Sequence, residues 1–176
     1  MDKKILFLTR TALLLAVAIT FQFVGKLIPY NNFIVGPVVN AVLIIATAVE
    51  GLWSGIAIAV IAPLVSAFTN KAPIAPLVLG FSPFIIIGNF IYVLIYYLLR
   101  KKSRITGIAA GSVLKSGFLY ASISVFTSIV KMQPKAAATL TNLFSWPQLL
   151  TALVGGAIAF AVLAVIGKSL DYENSK

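Results

Sequence analysis

Few residues in this chain could do chemistry, and only one of those inside its long apolar stretches is charged. Lys115 lies well within the stretch 105–130, where a lysine costs ~2.5–3.5 kcal/mol on insertion scales. Something must offset that cost, and the acidic residues are only Asp2, Glu50, Asp171 and Glu173. A bound anion would supply the counter-charge. Snorkelling of the lysine stem, or a pairing with Glu50 across a helix bundle, are the structural alternatives. On the same stretch Ser112, Ser116, Tyr120, Ser124 and Ser128 recur every four residues, and Thr127 joins that broad face at helical spacing. Such a stripe faces protein or water. Small hydroxyl residues let helices pack closely, but Tyr120 is too large for that and its phenol needs a partner, which favours a cavity. Asn40, Asn89 and Gln148 are further polar groups inside apolar stretches, each able to join two helices or to read a ligand. Asn142 and Trp146 precede the last stretch.

This inventory excludes more than it admits. The 176 residues contain neither cysteine nor histidine, so thiolate chemistry, Cys/His metal sites and imidazole catalysis are closed. No pair of carboxylates falls inside one stretch, which removes two-metal sites and proton relays. Without a Gly-x-x-x-x-Gly-Lys-Ser/Thr phosphate loop, any ATP must be hydrolysed by another chain. We therefore expect a binding protein, neither an enzyme nor a holder of a metal or cofactor. The net charge of +10 is no sign of nucleic acid, because the basic residues gather at the ends of apolar stretches, where anionic headgroups and topology explain them.

The elements that must position these side chains are membrane helices. Sixty per cent of the residues are hydrophobic, in blocks separated by short basic or Pro/Gly punctuation. The chain has no alternating pattern of a barrel, so helices are the expected means of satisfying the backbone in lipid. Hydropathy and breakers place spans at 11–28, 37–49, 54–68, 83–99, 105–130 and 147–166 within one membrane domain, 1–176. Ala16-Val17-Ala18 mimics a signal-peptidase site, but the apolar run continues past it, so the first span reads as uncleaved. Tyr30, Trp53, Trp146, Tyr92, Tyr96 and Tyr97 fall where an interfacial aromatic belt is expected. The tail from Lys168 is polar and expected to fray.

Spans 2 and 3 are short and separated only by Glu50-Gly51-Leu52-Trp53, so a single bent helix competes with a hairpin. The positive-inside rule chooses. With six spans and both termini cytoplasmic, Lys3, Lys4, Arg10, Arg100, Lys101, Lys102, Arg104, Lys168 and Lys176 are inside and Lys26, Lys71, Lys131 and Lys135 outside, nine against four. Fusing the two spans leaves six inside and seven outside. Six spans also leave the outer surface with lysines and no carboxylate.

Two helix starts then carry weight. Phe81-Ser82-Pro83 and Phe144-Ser145-Trp146-Pro147 each set a capping serine at or near a first-turn proline, both on the outer side. Spans 4 and 6 would aim their positive dipole ends at a solute arriving from outside.

With these features the chain resembles a known family. Arg10-Thr11-Ala12-Leu13-Leu14-Leu15-Ala16 in the first helix, Gly36-Pro37-Val38-Val39-Asn40-Ala41, the Gly51-Leu52-Trp53-Ser54-Gly55 turn and the late Trp146-Pro147-Gln148 are similar to the substrate-binding S components of energy-coupling factor vitamin transporters. The resemblance covers nearly the whole chain. It implies an all-α, six-transmembrane-helix bundle in the bacterial plasma membrane that captures a vitamin or its precursor at the outer face. It also implies helices 4, 5 and 6 as the site, with the first outer loop as a lid. The implied partners are a transmembrane coupling (T) subunit and two cytoplasmic ATPase subunits, with Ala12 and Ala16 packing against the coupling subunit. Joined to our reading of the charges, it gives a small anionic vitamin-like solute held by Asn40, Asn89, Lys115, Tyr120, Ser124, Asn142, Trp146 and Gln148. Pantothenate or another carboxylate vitamin would fit; flavin, pyrimidine and queuosine-precursor ligands stay open. The rivals are a structural membrane protein, such as an MreD-like cell-shape component, and a stand-alone facilitator.

Overall fold

The computed structural model describes residues 2–25, 27, 32–69 and 73–174, the side chains of 32 and 168–174 excepted. Among the described residues seven helices follow one another: α1 (Lys3–Gly25), α2 (Asn32–Val49), α3 (Leu52–Thr69), α4 (Ala75–Leu99), α5 (Arg104–Ile129), α6 (Pro134–Phe144) and α7 (Trp146–Asn174). Five segments are long and apolar enough to cross a membrane, namely α1, α3, α4, α5 and the α6–α7 stretch, and α2 is a shorter apolar helix beside them. Among the described residues this makes five candidate spans and one shorter apolar helix, which fits a six-helix bundle, with α6 a short helix ahead of α7.

Contacts fix the directions. Thr11 meets Ser54 at 2.9 Å and the Gln22 amide donates to the Ala62 carbonyl at 3.2 Å, so α1 and α3 run alike. Between α2 and α3 the chain reverses at Gly51, whose φ of 94° lies in the left-handed region that glycine adopts without a Cβ clash. Spans 2 and 3 are thus a hairpin, as the charge count requires. Helices α4 and α5 are antiparallel, with Gly80 against Phe126 near one end, Gly88 against Leu119 at the middle and Gly107 against Tyr96 near the other end. Gly36 meets Thr151 and Asn40 meets Gly155, so α7 runs parallel to α2. Both chain ends therefore lie at one end of the bundle, together with the α2–α3 and α4–α5 turns.

Several boundaries differ from the expected ones, each for a local reason. Helix α1 begins at Lys3, not 11, because nothing between them breaks a helix. Helix α2 starts before Pro37 and carries it inside. Helix α4 starts at Ala75, with Pro76 in its first turn, so Ser82-Pro83 is not a helix start. Pro83 lacks an N–H and orphans the carbonyl four residues back, and the Ser82 hydroxyl donates to that carbonyl, Leu79, at 2.7 Å. The serine mends a proline gap where a cap was expected. Ser103 caps α5 by accepting from the Thr106 amide at 3.2 Å. Helix α7 does start at Trp146-Pro147 and continues to Asn174, through the tail expected to fray. Tyr92 and Tyr96, read as interfacial, are fully buried. Lys26, Tyr30 and Lys71, and most of the first outer loop expected to act as a lid, fall outside the described residues.

Two apolar clusters hold the bundle. One contains Leu43, Ile44, Ile58, Tyr92 and Val93 with the alanines of α1, α2, α3 and α7. The other contains Phe81, Leu119, Ile123, Leu140 and Phe144 and seats α6, which buries Leu140 and Phe144 and exposes Lys135, Thr139 and Asn142. With no hydrophobic drive between helices in lipid, close packing at small residues is what joins them. The Gly155-Gly156 step shows this. A Cβ on Gly155 would stand 2.5 Å from the Pro37 carbonyl oxygen, and one on Gly156 would run into Ile108.

Candidate ligand-binding cavity

Between these clusters lies a cavity of about 230 Å³, in the half of the bundle where α2, α4 and α7 begin. All seven helices reach it: Gln22 from α1, Gly36 and Asn40 from α2, Pro63 and Ser66 from α3, Ile85 and Asn89 from α4, Lys115 from α5, Leu143 and Phe144 from α6, and Pro147, Gln148 and Thr151 from α7. The lining is mostly apolar with a few convergent polar groups, the usual composition of a small-molecule site.

Lys115 is the charged member. It is 3% exposed, its ammonium donates to Asn40 Oδ1 at 2.5 Å, and it stands 5.4 Å from the centroid of the Tyr92 ring. Asn40 is oriented for this by its own amide, which donates to the Gly36 carbonyl at 2.9 Å. The Tyr92 hydroxyl donates to the Ala152 carbonyl at 2.9 Å, which ties the ring beside Lys115 to α7. Neither structural alternative for Lys115 is realised. Its side chain is buried and does not snorkel, and Glu50 is engaged by Arg10 at 3.0 Å. Among the described residues no carboxylate pairs with Lys115. An ammonium with one amide oxygen and one aromatic face retains unused donors, and they adjoin the cavity.

The neighbouring groups have spare capacity too. Asn89 is 3% exposed and makes no side-chain hydrogen bond among the described residues. Gln22 spends its amide nitrogen on Ala62, while its Oε1 is buried and unpartnered. The Ser112 and Ser116 hydroxyls on α5 are also buried and unpartnered, outside the cavity lining. At the mouth of α7, Gln148 donates to the Leu143 carbonyl at 2.9 Å. That carbonyl is four residues before Pro147 and has lost its helical partner. Ser145 takes part in the α6–α7 break through its carbonyl, which accepts from the Gln148 amide at 3.0 Å.

The eight residues expected to hold a ligand divide sharply. Asn40, Asn89, Lys115 and Gln148 converge on the cavity. Tyr120 and Ser124 are exposed on the outside of α5, where the Ser124 hydroxyl returns to the Tyr120 carbonyl at 2.9 Å. The serine stripe therefore splits: Ser112 and Ser116 point inward, and Tyr120, Ser124 and Ser128 outward. The face from 112 to 128 is too broad for one neighbour, and in the later half of α5 Leu119 and Ile123 face the bundle while the stripe turns outward. Asn142 is on the exposed face of α6, and Trp146 is exposed beside Phe33, ring centroids 6.0 Å apart. Sequence reasoning passed over Gln22, Ser66 and Thr151. Gln22 had a signal, being a polar residue inside an otherwise apolar run, and Thr151 is one helical turn after Gln148.

A family model described as ECF transporter, substrate-specific component, matches residues 6–167. The chain belongs to that family. As an ECF S component it is a substrate-binding subunit of a transporter and not an enzyme, and membership implies association with T and ATPase subunits. The structural-protein reading falls with it. No curated protein and no solved structure matches the chain.

Proposed function

We propose that this S component captures a small, anionic, vitamin-like solute in the cavity around Lys115 and delivers it to an ATP-driven importer. One observation carries the charge assignment: a buried ammonium adjoins the cavity with no carboxylate among the described residues to neutralise it. A cationic solute would meet repulsion there and none of the acidic groups that would recognise it. Asn89, Gln22 and Thr151 then supply neutral hydrogen bonds for the rest of the solute. A volume of about 230 Å³ lies below the ~300–1,000 Å³ of drug-sized pockets, which favours a carboxylate vitamin or precursor over a flavin.

The charge count sets the orientation in this proposal, with both termini cytoplasmic and the cavity in the outer half of a bacterial plasma membrane. Ala12 and Ala16 are exposed on α1, which leaves them free to meet the coupling subunit. The test is mass spectrometry of small molecules released from the purified protein. A retained solute with a carboxylate or phosphate supports the assignment, and a neutral or cationic one overturns it. Uptake into vesicles holding this chain alone would instead indicate a stand-alone facilitator.

A further inference from the structure

A second cavity lies at the opposite end of the bundle. Ala48 at the end of α2, Tyr96 and Arg100 at the end of α4, Lys101 in the turn and Arg104 at the start of α5 enclose about 330 Å³. Arg100 has a structural task, donating to the Thr47 and Ala48 carbonyls at 2.6 and 3.1 Å and so capping the C-terminus of α2. Lys101 and Arg104 have none: both are exposed and neither forms an ion pair among the described residues. They also surround the N-terminus of α5, where its dipole is positive and basic side chains are disfavoured. Tyr96 lines the same cavity, is 1% exposed, and its hydroxyl makes no hydrogen bond among the described residues. A buried, unpartnered donor and three cations in one pocket are chemistry for a phosphate group.

The source of the phosphate follows from what lies below. Ile108 is one helical turn after Arg104, on the same face of α5. With Ile105, Ala109, Leu153, Gly156, Ala157 and Phe160 it lines an apolar groove of about 290 Å³ between α5 and α7. The small residues Ala109, Gly156 and Ala157 make that groove. We propose that the two form one site for an anionic phospholipid, its headgroup phosphate held by Lys101, Arg104 and the Tyr96 hydroxyl and an acyl chain lying between α5 and α7. The occupant is anionic because the headgroup cavity holds cations and no acid. It is a lipid because an apolar groove begins within one helical turn of Arg104, on a helix long and apolar enough to cross a membrane. The headgroup end lies at the opposite end of the bundle from the cavity around Lys115 and shares no lining residue with it, so the site stands whether or not the solute is an anion.

Native mass spectrometry of the delipidated full chain, titrated with phosphatidylglycerol, phosphatidylcholine or inorganic phosphate, tests the proposal. One phosphatidylglycerol should remain bound in preference to phosphatidylcholine. The double variant Lys101→Gln/Arg104→Gln, which spares Arg100 and its cap, should weaken phosphatidylglycerol roughly 30-fold, at about 5-fold per surface cation. Ala109→Trp fills the groove without touching a charge and should also weaken the lipid while leaving the weak adducts of inorganic phosphate unchanged. Equal affinity for the two lipids, or no effect of the double charge variant, overturns the site. A charge effect without any effect of Ala109→Trp overturns the lipid in favour of free phosphate. Thermal unfolding of each variant within a few degrees of wild type shows that loss of lipid is not loss of fold.

Discussion

Replacing Lys115 with methionine separates recognition from architecture, because the structure makes the two consequences different in size. Methionine keeps nearly the same length and removes the charge. Three terms act on stability. Relief of the insertion cost favours the variant by ~2.5–3.5 kcal/mol. Asn40 Oδ1, which accepts from the ammonium at 2.5 Å, is left unsatisfied at a cost of ~1–3 kcal/mol. The ammonium at 5.4 Å from the Tyr92 centroid gives up a cation–π contact of ~0.5–2 kcal/mol. These nearly cancel, so the unfolding temperature of Lys115→Met should stay within about 5 °C of wild type. Binding has no such cancellation. A charge-assisted hydrogen bond to a ligand anion is worth ~1.5–3 kcal/mol, and its loss weakens affinity roughly 10- to 150-fold. Calorimetric titration with the solute identified by mass spectrometry, beside thermal unfolding of the same preparation, reads both. Asn40→Leu is the internal control. It strands the ammonium, so it should destabilise more than the double variant Asn40→Leu/Lys115→Met, where both partners become apolar. Unchanged affinity in Lys115→Met would refute the anion reading. Parallel loss of affinity and of unfolding temperature would make the lysine a structural element.

Three further outcomes are expected. Gly155→Ala places a Cβ 2.5 Å from the Pro37 carbonyl oxygen and 2.6 Å from Asn40 Cβ, so it should destabilise the bundle by ~1–3 kcal/mol in thermal unfolding. Gly117→Ala, with nothing within 4 Å of the new Cβ, should not. Ala12→Leu/Ala16→Leu enlarges the exposed face of α1 and should abolish uptake by the assembled importer while solute binding to the isolated chain survives. Loss of binding together with uptake would show that the pair serves internal packing. A cysteine at Lys102, exposed in the α4–α5 turn, should resist impermeant thiol reagents applied to intact cells, and labelling from outside would invert the orientation.

Much of the candidate site was written in residue types. Lys115, Asn40, Asn89 and Gln148 are conspicuous because lipid penalises a polar side chain wherever it falls, so such groups must turn inward. The same penalty made the helices readable, since backbone in a membrane has few solutions, and the placing of lysines and arginines at the span ends made the α2–α3 hairpin readable. What the sequence left open was rotation and register. A stripe at every fourth residue on α5 is one face on paper, yet Ser116 enters the core and Ser124 leaves it, because only the neighbouring helices decide where that face stops being covered. Ser82-Pro83 is a legitimate helix start in sequence and a mended helix interior in the fold, because a proline reads alike until its partners are placed. The partner of Lys115 was likewise a matter of tertiary structure. Glu50 was the acid nominated from composition, but it meets Arg10, and parallel packing of α2 and α7 at Gly155 sets Asn40 where the lysine on α5 reaches it. Hydropathy determines which side chains cannot face lipid; the packing of small residues between helices determines which of them face each other.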